Sequence, residues 1–178
     1  MIYVFLAQGF EETEYIATVD VLMRGGATVT TVAVDELEVT GTHGITIKAD
    51  CVMEDADFSD GEMFVLPGGM PGTNNLMDCK ELTDLLKDAY SKGKYIGAIC
   101  AAPKILGSLG FLKGKDATCY PGFEEFLEGA NVVDASVAHT DNIITANGMG
   151  SAIDFGLKLL EVLGKNYLKV KKDILYNG

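Results

Sequence analysis

The sequence predicts an α/β protein built on a mostly parallel central sheet flanked by helices. Three observations carry that expectation. Short β-rich apolar runs alternate with stretches whose apolar residues recur at helical spacing. Glycines punctuate the ends of the runs, in AQG (7–9) and LPGG (66–69). The first two runs are separated by one helical stretch, so parallel pairing through that crossover gives a right-handed βαβ unit.

The elements follow in order. IYVFLA (2–7) reads as a strand, and EYIATVDVLMRGG (14–26) as a helix with Ile16, Val19, Leu22 and Met23 on one stripe and Gly25 and Gly26 at its C-cap. TVTTVAV (28–34) is the second strand. ELEVTGTHGITIKAD (36–50) alternates about TGTHG and predicts a β-hairpin at the edge of the main sheet. EMFVLPGG (62–69) is a strand ending in a glycine loop, KELTDLLKDAYSKG (80–93) an amphipathic helix, YIGAI (95–99) a buried strand and PKILGSLGFL (103–112) a helix interrupted by glycines. Beyond it come a turn at Pro121 and Gly122, a short helix through Phe126, a strand near Val132, and a hairpin leading into a strand over 143–146. SAIDFGLKLLEVLG (151–164) is the best amphipathic helix of the chain. A lysine-rich tail is expected to pack as a last helix through Leu168, Val170, Ile174 and Leu175.

Composition narrows the function. A chain of 178 residues, 48% hydrophobic and 22% charged, is of a size and balance to bury one core, and it shows no repeat or linker. The net charge of −12 and the single arginine, Arg24, leave no basic stripe for phosphates, so no nucleic-acid partner is expected. The amino terminus has no basic region, and its apolar run is too short for a membrane span or signal peptide, which predicts a soluble cytoplasmic protein. Cys51, Cys79, Cys100 and Cys119 form no C-x-x-C pair, and His43 and His139 stand apart, so reduced thiols, no metal and no cofactor are expected.

Reactive groups of open α/β sheets collect beyond the carboxyl ends of strands. In AICAAP (98–103), Ala98 and Ala102 are the small residues that a tight strand-to-helix elbow requires, and Pro103 suits a first helical turn. Cys100 then stands before a helix N-terminus that favours thiolate; the alternative is an inert core thiol. LPGGMPG (66–72) permits a positive-φ turn whose N–H groups face an anion or oxyanion, or is simply a loop. In EETE (11–14), Glu11 and Glu12 read as first-turn acids complementing the helix dipole. Glu14, followed by Tyr15 and Ile16, either stays with those acids or turns inward with the two apolar residues, where burial raises a carboxyl pKa and suits it to proton exchange with a thiolate or a substrate.

Taken together, AQGFEETE, LPGGMPGTNNL, GAICAAP, ATCYPGFE and ITANGMGSAIDFGLKLLE stand in an order and spacing that resemble the ThiJ/PfpI superfamily, in its DJ-one-like branch. The resemblance covers Ile2 to Leu163. It implies a flavodoxin-like three-layer sandwich, a single domain over 1–178, and a homodimer. It places the reactive cysteine at Cys100, the acid donating a hydrogen bond to its sulfur at Glu14, the oxyanion-facing N–H groups at Gly69 and Ala101, and a supporting glycine at Gly68. Implied activities are cofactor-free conversion of small 2-oxoaldehydes to hydroxy acids, removal of early glycation adducts, redox sensing through a cysteine sulfinate, and chaperone-like holding. Two departures stand out. Tyr120 occupies a position where some members carry a histidine, which disfavours a Cys-His dyad, and Ala101 stands where the protease-like branch has its histidine.

The leading expectation is a cysteine-dependent glyoxalase or deglycase acting on a small carbonyl substrate. A non-enzymatic sensor working through oxidation of Cys100 uses the same residues. A class I amidotransferase-like hydrolase would recruit His139 and Asp141, although HTD (139–141) falls in the predicted hairpin. Cys51, Cys79 and Cys119 read as ordinary structural thiols, with Cys119 the candidate resolving partner because its segment approaches Cys100.

Overall fold

The computed structural model describes residues 1–177. Among the described residues eleven strands are formed: β1 (Ile2–Leu6), β2 (Val29–Ala33), β3 (Glu38–Thr40), β4 (Thr46–Lys48), β5 (Cys51–Val52), β6 (Met63–Leu66), β7 (Tyr95–Ile99), β8 (Asp116–Ala117), β9 (Asn131–Val132), β10 (Val137–Thr140) and β11 (Ile143–Ala146). The helices are α1 (Glu12–Arg24), α2 (Gly72–Asp78), α3 (Lys80–Ser91), α4 (Pro103–Ser108), α5 (Ala152–Val162) and α6 (Tyr167–Asp173). The seven-stranded sheet runs β10-β11-β7-β6-β1-β2-β5, parallel throughout except for the antiparallel edge pair β10-β11. This is a flavodoxin-like sandwich.

Period-two alternation splits the apolar residues of β1 between the two faces. Tyr3 and Phe5 join Leu82, Leu86, Ile105 and Leu106 on one side; Ile2, Val4 and Leu6 join Leu22, Phe155, Leu159 and Leu160 on the other. Helices therefore cover both faces, as a parallel sheet requires. Gly156 lets α5 close on α1, where a Cβ would stand 2.8 Å from Val21 Cγ1.

The structure corrects two of the expected packings. The buried face of α1 is Glu14, Tyr15, Thr18, Val21 and Leu22, whereas Ile16 and Met23 are 44% and 51% exposed. In the last helix only Val170 is buried, and Leu168 and Leu175 face solvent. The hairpin β3-β4 forms as expected, in a small sheet of its own rather than on the main one. It lies over the end of β1, held by Gly9 N–H to Thr40 O at 2.8 Å and Thr42 N–H to Phe10 O at 2.9 Å. On that side the main sheet ends with β5.

Candidate active site

β1, β6 and β7 are neighbours in the sheet, so the loops leaving their carboxyl ends meet. Cys100 follows β7 with φ of 64°, a left-handed conformation that non-glycine residues occupy at a cost and that concentrates at functional sites. Its backbone is held on both sides: its N–H donates to Ala146 O at 2.9 Å, and its carbonyl accepts the Tyr120 N–H at 2.9 Å. Pro103 opens α4 directly afterwards. The side chain is half-buried, and the N–H groups of Ala101 and Gly69 favour its thiolate.

Glu14 enters from α1 and is 1% exposed. Gly68 N–H donates to its Oε2 at 2.9 Å, while Oε1 is buried without a well-formed hydrogen bond. Burial pushes the carboxyl up to about 7; its hydrogen bond with the Cys100 thiol and the one from Gly68 act in the opposite direction, and the charge of Glu11 adds to the rise. The thiol is pushed up to about 12, by burial first, then by the charge of Glu14 and its hydrogen bond, against the pull of the Ala101 and Gly69 N–H groups. Burial thus works against the helix N-terminus expected to favour thiolate at Cys100, and it disfavours the ionised form of both groups.

The glycines are fixed by close approach. A Cβ on Gly68 would lie 2.6 Å from Cys100 Cβ, 2.7 Å from Glu14 Oε2 and 2.9 Å from Ile99 O. Gly69 has φ of +92°, and a Cβ there would strike Glu11 N at 2.4 Å and Phe10 C at 2.5 Å. Only glycines let the β6 loop pass between the acid and the thiol and still turn its N–H groups inward.

A model of the DJ-1/PfpI family matches residues 1–162 of this chain. The chain belongs to the DJ-1/PfpI family. It is 41% identical over 162 residues to protein DJ-1 homolog A of Arabidopsis thaliana, across 89% of this chain and 41% of that protein. It thus spans well under half the length of that relative. It is 34% identical over 154 residues to a protein of Caenorhabditis elegans named glutathione-independent glyoxalase DJR-1.2, across 86% of this chain and 82% of that one. The solved structure of oxidized Toxoplasma gondii DJ-1 superposes with a TM-score of 0.95 at 34% identity, covering 99% of this chain and 98% of that chain.

Within this DJ-1/PfpI domain, Cys100, Glu14, Gly68, Gly69 and Ala101 come together. Tyr120 borders them through its backbone; its ring is 50% exposed and packs edge-on to Phe123. His139 does not join them. It lies on β10 near the Asp141 turn, beside the amino-terminal end of β11, with its Nε2 at 2.8 Å from Asp141 O. Cys119 is buried on the α3/α4 side of the core and Cys100 packs against the α1/α5 side, both as free thiols.

One residue that sequence reasoning left on the surface is a buried anchor. Glu12 is 3% exposed and receives the His43 N–H at 2.6 Å, the Thr42 hydroxyl at 3.2 Å and His43 Nδ1 at 2.9 Å. Burial opposes its ionisation, but the bonds with His43 and the hairpin backbone win and hold it down at about 2; His43 is raised in turn. Nothing local signals this, because the pairing spans 31 residues.

Proposed function

We propose that the chain is a single-domain, cysteine-dependent glyoxalase-type enzyme converting small 2-oxoaldehydes to 2-hydroxy acids, with Cys100 as nucleophile. The observation that carries this reading is the half-buried Cys100 thiol, strained into an elbow and facing a buried carboxyl whose pKa stands near 7. A base poised at the working pH is the one best matched to proton transfer.

Glu14 carboxylate takes the thiol proton as sulfur bonds to the aldehyde carbon. The resulting oxyanion meets the Gly69 and Ala101 N–H groups already gathered about the sulfur, and accepts the proton from Glu14. Glu14 then removes the hydrogen from the thiol-bearing carbon, giving an enediolate, and returns it to the neighbouring carbon while the hydroxyl proton of the thiol-bearing carbon passes to the neighbouring oxygen. The product of that shift is a thioester. Water breaks its C–S bond, releasing the hydroxy acid and restoring the thiol. The sum is addition of one water, with no external oxidant. Early glycation adducts of the same carbonyls are the alternative substrates. Methylglyoxal consumption by the purified protein, run beside C100S and E14Q, tests the reading: both variants should lose turnover by at least about a hundredfold, and parental rates in either would refute it.

A second reading is favoured by the same two N–H donors, which would also stabilise oxygens on an oxidised sulfur. Cys100 would then be a peroxide sensor, each equivalent of peroxide delivering one oxygen and leaving as water. Selective sulfinate at Cys100 after mild peroxide, read by mass spectrometry, supports it; oxidation spread evenly over the four cysteines rejects it. In either role we propose a homodimer through the outward face of α1.

A further inference from the structure

An ordinary helix start closes on itself: the N-cap side chain accepts the N3 N–H, and an N3 glutamate reaches back to the N-cap N–H. α1 begins that motif and then departs from it. Glu11 is the N-cap, and its Oε2 accepts the N–H of Glu14, the N3 residue, at 2.6 Å. The return bond is missing. The Glu11 N–H donates instead to Gly68 O at 2.9 Å, and Gly68 N–H donates to Glu14 Oε2 at 2.9 Å. The Gly68 residue has been inserted into the capping box. This closes a ring of Glu11, Gly68 and Glu14 that leaves the Glu14 carboxyl facing Cys100.

The cap residue itself breaks a local rule. Serine, threonine, aspartate and asparagine are the preferred N-caps, and any of them would accept the same N–H. Capping does not explain a glutamate here, least of all one beside Glu12 and Glu14. Rule-breaking choices of this kind gather at functional sites. We propose that Glu11 is a positioning residue for the active site: it holds the Glu14 carboxyl in the ring and, through its negative charge, makes that carboxyl a stronger base toward the Cys100 thiol. The direction agrees with the upward influence of Glu11 on Glu14. The charged and titratable groups about the pair are Cys100 on Glu14, and Glu12 and His43 beside Glu11; the polar atoms of Glu11, Glu12 and His43 lie within 4.8 Å of one another. His43 when protonated opposes the effect of Glu11.

The inference rests on the proposed function for its meaning, but its test does not need turnover. E11Q keeps an acceptor for the cap and removes the charge; E11A removes both. The carboxyl carbon shift of Glu14 is followed by NMR against pH, alongside the pH dependence of Cys100 alkylation by iodoacetamide. In E11Q the Glu14 midpoint should fall by about 0.5 to 1 pH unit, a loss of roughly three- to tenfold in basicity, with the acid limb of alkylation moving with it. An E11Q midpoint equal to the parent's, with change only in E11A, would reduce Glu11 to a structural cap and overturn the proposal. The shift should persist in an H43Q background; its disappearance there would show that Glu11 acts only through His43, and would also overturn it. Failure of the protein to consume methylglyoxal would refute the proposed function and leave these readings intact.

Discussion

Glu14 is the residue whose environment can be measured most directly. Its carboxyl rises from 4.5 to about 7, so the folded state holds a proton that the unfolded chain has released. The stabilising contribution is therefore complete below about pH 4.5 and is lost as pH rises through about 7, at about 1.4 kcal/mol for each unit of that interval. E14Q, which cannot ionise, should lose activity yet unfold at higher denaturant than the parent at about pH 8, with the difference shrinking toward about pH 5; a constant difference across that range would contradict the raised carboxyl. Gly68→Ala probes the space rather than the charge. Its Cβ would press on Cys100, Glu14 and the backbone carbonyl of Ile99, and the last cannot rotate away. Over-packing of that kind costs about 1–3 kcal/mol, and here it should also separate acid from thiol. We expect G68A to remain folded by circular dichroism, to melt lower, and to alkylate slowly at Cys100.

At the scale of elements, α1 and the β3-β4 hairpin act as one assembly. The inward face of α1 must carry Glu14 to the thiol, so the helix is rotated to bury Glu14 and Thr18 and to turn Ile16 and Met23 outward. Hydrophobic periodicity reads the apolar side as the inner one, and that is why the stripe was misplaced although the helix itself was plain. Glu12 then fastens the hairpin. Its pH dependence has the opposite sign from that of Glu14: held down at about 2 from 4.5, it stabilises the fold above about pH 4.5, and that contribution is lost as pH falls through about 2. E12Q should weaken the charge-assisted bonds to His43 and Thr42. The measurable outcome is faster amide exchange at His43 and across 38–48, with the core strands unchanged; uniform exchange in parent and variant would deny the anchor.

At the scale of the whole molecule, the alternation of strands and helices, the parallel pairing of the first two strands and the three loops beyond strand ends were legible because they follow from periodicity, handed crossovers and glycine punctuation; the strand order that brings those loops together was not. Cys100 directly follows β7 and the glycine pair lies just beyond β6, whereas Glu14 sits in the first turn of α1 and only the family resemblance pointed to its role. The His43–Glu12 anchor and the inserted capping box were not legible, because they depend on side chains meeting across segments that no local pattern links. The outward face of α1 belongs to this scale too. Ile16 and Met23 lie seven residues apart on one helical stripe, and Ile45 of the hairpin, 51% exposed, borders the same groove as Ile16, Ala17 and Asp20. Apolar residues grouped on a helix face beside the site elements are a surface suited to a second copy of the chain. On a self-complementary interface a charge placed near the two-fold axis faces its own image, so one substitution introduces two like charges and a desolvation penalty. Ile16→Glu should therefore convert a dimer into monomers in sedimentation equilibrium without altering the circular dichroism spectrum, because position 16 contributes little to the core. A parent that sediments as a monomer, or an I16E variant that stays dimeric, would remove this face from consideration.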